Sequence, residues 1–354
     1  MEITIQGRKI GLQHPTYFIA DIAANHDGSL QRAVELIRLA KEAGADAAKF
    51  QNFQAPKIVS DYGFRSLDGQ IGHQAAWTKS VVEVYAEASI PFEWTPTLKE
   101  ACEEFDIHYF SSPYDYDAIE MLDPYVPAYK AGSSLISWPQ AILRMAEFGK
   151  PVMIATGDSD MADVERTMEM LLAVNRQVVL MQCNTNYTAA EGNYDHLHLN
   201  VLKTYAERWP NVILGLSDHT QSAAPVVGAV ALGARVIERH FTDSNERDGP
   251  DHKFALNPQN WAHMVAEVRI LERALGSAEK FVAENEKETY IVQRHCLRAA
   301  RQIKAGEVFS EDMLEVLRPA TPGALMAWDI PQVLGRKAAA DLPYGKDIRP
   351  EDLA

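Results

Sequence analysis

Residues 212–219 read VILGLSDH and residues 236–242 read VIERHFT. Each begins with a short apolar run and then gathers polar residues that include a histidine, His219 in the first and His240 in the second. A non-alternating apolar run of this length fits a strand buried on both faces, as in a parallel sheet. Polar residues at the C-terminal end of such a strand stand where α/β folds carry their chemistry.

The same plan recurs upstream, in YFIADIA (17–23), AAKFQ (47–51), HYFSSP (108–113), AYKAG (128–132), PVMIATG (151–157) and VVLMQCN (178–184). Between most of these runs lie amphipathic segments such as LQRAVELIRLAKEAG (30–44), which closes on Gly44, a helix C-cap signal. Eight strand–helix units predict an α/β fold, a (β/α)8 TIM barrel over residues 1–276. A doubly wound open sheet is the other architecture, and eight strands without a glycine-rich nucleotide loop favour the barrel. Residues 52–94 form a long second βα connection rich in aromatic and polar residues, expected to serve as a lid or substrate loop.

After residue 276 the pattern changes. A charged linker is expected at 277–291, in the stretch AEKFVAENEKETY (278–290). Beyond it, GEVFSEDML (306–314) and GKDIRPEDL (345–353) repeat one frame 39 residues apart. Residues 292–354 therefore read as a small, mostly-β module, too short for a second catalytic domain.

The 354 residues carry a formal charge of −15, which argues against nucleic acid as a main partner. Small anions remain compatible, because a local cluster of lysines and hydroxyls can hold a phosphate inside an acidic protein. No apolar run reaches membrane-spanning length and the N-terminus lacks a signal-peptide plan, so a cytoplasmic protein without membrane contact is expected. The three cysteines, Cys102, Cys183 and Cys296, are too sparse for a disulfide framework.

The barrel reading brings the strand ends together at one mouth: Asp21 with Asn25 and His26, Lys49 with Gln51, Ser111 and Ser112, Lys130 with Ser133, Thr156, Asn184 with Thr185, Ser217 with His219, and His240. Two imidazoles on adjacent strands either bind a divalent metal or form a hydrogen-bonded pair. A lysine in an otherwise apolar strand either snorkels to the rim or faces an anion. Lys49 and Lys130, with several hydroxyls, suit a small multiply charged anion. Asp21 is a candidate general base or a charge partner of a lysine or metal, and Asp251 could hydrogen-bond a polyol.

Taken together, IADIAANHDG, GADAAKFQ, YFSSPYD, YKAGSS, IATG, GLSDHT and ERHFT…GPDH resemble the sialic acid (N-acetylneuraminate) synthase family, and the C-terminal repeat resembles its antifreeze-like (SAF) domain. The resemblance implies condensation of phosphoenolpyruvate with an N-acyl amino sugar, N-acetylmannosamine or a 6-deoxy relative, to a nonulosonic acid and phosphate. It makes His219 and His240 ligands of Mn²⁺ or Mg²⁺. It places Lys49, Ser112, Lys130, Ser133, Asn184, Thr185 and Ser217 at phosphoenolpyruvate, with Asp21, Lys49 and Lys130 in the catalytic role. Gln51, Tyr187 and Asp251 fall on sugar positions. It further implies a domain-swapped homodimer.

Several positions depart from the family pattern. Asp21 stands for a glutamate. Ala155 stands for a serine, leaving Thr156 to supply that hydroxyl. Thr185 stands for an asparagine, and Arg294, His295 and Cys296 occupy the place of an arginine–serine that serves the sugar. These departures allow a different acceptor, non-acylated or phosphorylated. A purely carbohydrate-binding or antifreeze-like role is the remaining alternative, and the strand-end lysines and histidines argue against it.

Overall fold

The computed structural model describes residues 1–67 and 72–354. The chain forms two compact units, Met1–Gly276 and Ser277–Ala354.

The first unit opens with an antiparallel hairpin of β1 (Glu2–Ile5) and β2 (Arg8–Gly11), with Ile3 opposite Ile10. Eight parallel strands follow: β3 (Tyr17–Asp21), β4 (Ala47–Asn52), β5 (His108–Pro113), β6 (Tyr129–Ala131), β7 (Val152–Ala155), β8 (Val178–Cys183), β9 (Ile213–Asp218) and β10 (Ala234–His240). They form one sheet in the order β5-β4-β3-β10-β9-β8-β7-β6, and its two end strands, β5 and β6, pack side by side. The sheet thus wraps into a TIM barrel, and the open-sheet alternative falls.

Side chains alternate across each strand, so the barrel has an inner and an outer set. Outward residues such as Phe18, Phe50, Ile154 and Leu216 pack in the same cluster as the apolar faces of the helices, including Leu36 and Ile37 of Leu30–Glu42. Inward residues of the lower strands, among them Tyr17, Val179 and Val236, form a separate cluster with Ile3, Ile5 and Ile10. The N-terminal hairpin therefore stoppers the end where the strands begin. Fully burying such a side chain contributes on the order of 1.5–3 kcal/mol. The opposite end, where the strands finish, is left for polar side chains. There His240 is the register partner of Asp21, and Asp21 that of Lys49.

The 52–94 connection contains the helices Ala55–Ile58, Asp61–Arg65 and Val81–Ala88. Ser80 and Glu83 close a capping box that starts the last of them. Residues 68–71, inside the expected lid, lie outside the described residues.

In the second unit β11 (Cys296–Ala299) pairs antiparallel with β12 (Leu314–Leu317) over a core that includes Leu297, Phe309, Val333 and Ile348. The two copies of the repeat fold alike. Gly306 and Gly345 both take positive φ (84° and 78°), and short 3₁₀ turns follow at Glu311–Met313 and Pro350–Asp352.

Candidate active site

Four buried charges meet at the C-terminal mouth of the barrel. Lys49 Nζ on β4 donates to Asp21 Oδ2 on β3 at 2.6 Å and to Ser112 Oγ on β5 at 3.2 Å. Lys130 Nζ on β6 is 2.8 Å from Glu238 Oε1 on β10, and that oxygen is 3.9 Å from Lys49 Nζ. None of the four is more than 3% exposed. Burial disfavours the Lys49 ammonium, but the Asp21 and Glu238 carboxylates outweigh it and hold the group above its usual value.

The two carboxylates differ in what remains free. Asp21 Oδ2 also accepts from Gln51 Nε2 at 3.2 Å, and Oδ1 from the Ala23 N–H at 3.1 Å. Glu238 Oε1 accepts from Ser217 Oγ at 3.4 Å, but Oε2 is buried with no hydrogen-bond partner. The sequence reading passed over Glu238. Its signal was the parity of VIERH, which puts Glu238 two residues before His240 and so on the same face.

Strands β9 and β10 bring the two histidines together, with ring centroids 5.4 Å apart. His219 Nδ1 lies 2.9 Å from the Asn184 carbonyl. A proton donated there leaves Nε2 with a lone pair for a ligand, the usual arrangement behind a metal-binding imidazole. His240 Nδ1 is buried without a hydrogen-bond partner, 4.0 Å from Asp251 Oδ2, and its Nε2 is 3.7 Å from Asp21 Oδ2. Burial, reinforced by His219 and Lys49, holds His240 far below its ordinary value and therefore neutral. Among the described residues no cluster of three or more His, Cys, Asp or Glu has metal-site geometry. The protein thus offers two adjacent imidazoles, His240 with an Nδ1 that has no hydrogen-bond partner and His219 held by the Asn184 carbonyl and the Cys183 thiol, a set that suits a divalent ion completed by water or substrate oxygens.

Tyr187 lies edge-on to His219 at 4.5 Å and Phe254 to His240 at 4.8 Å, framing the imidazoles. Asp251 accepts from the Ala24 N–H at 3.2 Å. Burial, with Asp21 adding repulsion, pushes its carboxyl up to about 6. Asp21, Gln51, Lys130, Ser133, Thr185, Tyr187, Ser217, His219, His240 and Asp251 all line one cavity of about 550 Å³, and Lys49 and Ser112 stand beside its floor. The described part of the 52–94 connection supplies much of the outer wall, including Phe53, Trp77 and Tyr85.

Three expected groups point elsewhere. Thr156 Oγ1 donates to the Met181 carbonyl at 3.0 Å and accepts from Tyr205 Oη at 3.1 Å, on the outer side of the barrel. The inward position at that level belongs to Ala155, so Thr156 does not replace the missing hydroxyl. Asn184 directs its amide to the His196 carbonyl at 3.3 Å and serves the site through its own carbonyl. Ser111 donates to Asn52 Oδ1 at 2.5 Å, leaving Ser112 as the inward hydroxyl. Asn25 and His26 are loop braces: Asn25 Nδ2 donates to the Phe241 carbonyl at 2.9 Å, and the Gly28 N–H to His26 Nδ1 at 3.0 Å. In the second unit, Arg294 stacks over Tyr290 at 4.1 Å and lies 5.7 Å from the Trp328 ring, while His295 is exposed.

A NeuB family model matches residues 36–280 and a SAF domain model matches residues 294–354. Pseudaminic acid synthase of Campylobacter jejuni subsp. jejuni serotype O:23/36 is 32% identical over 342 residues, spanning 95% of this chain and 96% of its own length. N-acetylneuraminate-9-phosphate synthase of Homo sapiens is 31% identical over 346 residues, spanning 98% of this chain and 94% of its own. The crystal structure of N-acetylneuraminic acid synthetase from Leptospira borgpetersenii serovar Hardjo-bovis has a TM-score of 0.71 and 25% identity, over 82% of this chain and 95% of that one. With most of the chain inside the family match and both relatives aligned nearly end to end, this protein belongs to the NeuB family.

Proposed function

We propose that the chain condenses phosphoenolpyruvate with an N-acyl amino sugar, N-acetylmannosamine or a 6-deoxy di-N-acetyl relative, releasing phosphate and a nonulosonic acid. The observation that carries this reading is the buried quartet of Lys49, Asp21, Lys130 and Glu238 beside two imidazoles. The names of the synthase relatives support it.

In this reading Lys49 and Lys130, with the hydroxyls of Ser112, Ser133, Thr185 and Ser217, hold the phosphate and carboxylate of phosphoenolpyruvate. Their charges are fixed before substrate arrives, so little reorganisation is needed as charge shifts. Gln51, Tyr187 and Asp251 orient the open-chain sugar so that its aldehyde carbon faces C3 of phosphoenolpyruvate. Mn²⁺ or Mg²⁺, held by His219 and His240, would polarise the aldehyde oxygen and offset its developing charge. The C2–C3 π pair forms the new C–C bond, leaving C2 electron-poor. Water adds at C2 and gives up a proton, which passes on to the oxygen of the former aldehyde; the C2–O bond to phosphate then breaks, the C2 hydroxyl proton leaving with the phosphate, to give the 2-keto acid. Glu238, with its unpartnered Oε2, is the better placed acceptor of that proton, and Asp21 keeps Lys49 charged.

The test is phosphate release by the purified protein with phosphoenolpyruvate, a panel of mannosamine-type aldoses and Mn²⁺, followed by the mass of the product. Release that requires all three components is expected, and none with any aldose would overturn the reading. We also propose a domain-swapped homodimer, consistent with exposed Tyr290, Ile291, Val292 and Trp328 on the second unit. Light scattering at the monomer mass would exclude it.

A further inference from the structure

Thr242 and His252, both fully buried, stand behind the cavity wall and do not line it. His252 Nδ1 meets Thr242 Oγ1 at 2.7 Å, and its Nε2 meets Asp27 Oδ1 at 2.9 Å. A carboxylate only accepts, so Nε2 donates to it. Hydroxyl, imidazole and carboxylate follow the order of a hydrolase triad. Thr242 Oγ1, however, is closed off from solvent and lies 3.1 Å from the Ser244 carbonyl, so no substrate reaches it. The chain of three is a brace.

It joins the loop that follows β3, which carries Asp27, to the loop that follows β10, which carries His252. Arg32 adds to the joint, donating to the two Asp243 oxygens at 3.0 and 2.6 Å and to the Asn25 carbonyl at 2.8 Å. Gly249 lies so close that a methyl there would stand 2.6 Å from His252 Cδ2, so the loop is folded down on the imidazole. Asp251, beside His252 in the chain, lines the cavity with Oδ2 4.0 Å from His240 Nδ1. Its bond from the Ala24 N–H, at 3.2 Å, is longer than the roughly 2.9 Å expected of a charged acceptor. The backbone it hangs on therefore does most to place that carboxylate.

We infer that His252 is a positioning residue for the acceptor: through its bond to Asp27 it holds the loop after β10 so that the Asp251 carboxylate faces the sugar. This rests on the place given to Asp251 in the condensation reading above. The experiment measures phosphate release with phosphoenolpyruvate, Mn²⁺ and N-acetylmannosamine or its 6-deoxy di-N-acetyl relative. His252→Leu should raise KM for the aldose about tenfold or more, the scale of a lost hydrogen bond to a charged group, and leave KM for phosphoenolpyruvate within about twofold. His252→Gln, which sets an N–H near the place of Nε2, should recover most of that loss. Asp27→Gly removes the acceptor while suiting the positive φ (50°) at that position, and should act as His252→Leu does even if the latter folds poorly. In an Asp251→Asn background His252→Leu should change the aldose KM less than about twofold, because it acts through that carboxylate. An aldose KM unchanged in both His252→Leu and Asp27→Gly, a parallel rise in KM for phosphoenolpyruvate, or equal losses with and without Asp251 would overturn the inference and leave the condensation reading standing. If neither aldose turns over, that reading falls, and calorimetric binding of the aldose to the Mn²⁺-loaded protein without phosphoenolpyruvate decides the present inference. Binding weakened about tenfold in both variants supports it; binding unchanged in them, or absent from the parent, defeats it.

Discussion

Glu238 Oε1 stands 2.8 Å from Lys130 Nζ, and because the same oxygen is 3.9 Å from Lys49 Nζ, one carboxylate serves both buried lysines. Glu238→Gln keeps the shape and removes both the charge and the basic oxygen. We expect kcat to fall about a hundredfold or more, the usual scale for losing a general base. The lysines, less neutralised, should hold phosphoenolpyruvate as well as before or better, so KM for it should not rise. Steady-state phosphate release checks this, and an unchanged kcat would remove Glu238 from proton transfer.

On the outer side of the same strands Asp218 and Arg239 are register partners, ion-paired at 3.4 Å and each 1% exposed. Asp218 also accepts from the Thr220 N–H and hydroxyl, both at 3.0 Å, and Arg239 Nη1 donates to the Ser222 carbonyl at 2.8 Å. The pair thus ties down the loop that begins at His219. Arg239→Met leaves a buried carboxylate unpaired and should cost about 3–5 kcal/mol. The double variant with Asp218→Asn should cost less than the sum of the singles, with a coupling on the order of 1–3 kcal/mol. Urea unfolding of the four proteins measures it, and additivity would mean that the pair does not act as a unit.

The barrel was legible because eight apolar runs, each bounded by helical spacing, leave few other architectures. Lys49, Lys130 and the two histidines were legible because charge inside such a run has to be explained. What the sequence hid was parity. Ala155 and Thr156 differ by one position, yet one faces the barrel interior and the other meets Tyr205 outside. In a strand a one-residue slip exchanges the faces, and only the register decides it. The same ambiguity hid Glu238 and overvalued the Asn184 side chain. The N-terminal hairpin escaped for another reason: Ile3, Ile5 and Ile10 sit in strands too short to stand out, and their burial depends on the barrel they close.

His108 supplies a pH prediction remote from the site. Its Nδ1 is 2.6 Å from Tyr17 Oη. Burial, helped by Arg8 and Lys99, pulls the imidazole down to about 4 from 6.5. The unfolded chain therefore binds the extra proton first as pH falls. Stability from this group is complete above about 6.5 and lost progressively toward 4. Partial solvent screening limits the effect to about 1–2 kcal/mol. His108→Gln should flatten urea-unfolding stability across that window, and a slope equal to the parent's would assign the acid sensitivity to other groups.

Gly157 lies two residues past β7, against Thr185 and Ser133 of the cavity lining. A methyl there would stand 1.8 Å from Thr185 Oγ1, 2.9 Å from Ser133 Oγ and 3.1 Å from Cys183 Sγ, and the Gly157 N–H already donates to Ser133 Oγ at 3.1 Å. Gly157→Ala must displace Thr185, one of the hydroxyls proposed to meet phosphoenolpyruvate. Overpacking of this kind costs about 1–3 kcal/mol, and KM for phosphoenolpyruvate should rise about tenfold. Thr185→Ala removes the clashing oxygen together with its contact to substrate. The double variant should then regain most of the lost Tm while keeping the KM of Thr185→Ala alone, because Thr185 Oγ1 makes by far the closest contact with the added methyl, at 1.8 Å against 2.9 Å for Ser133 Oγ. Tm and KM measured for the parent, both singles and the double decide the point. Additive effects on KM would show that Gly157 shapes the pocket through Ser133 or Cys183 instead.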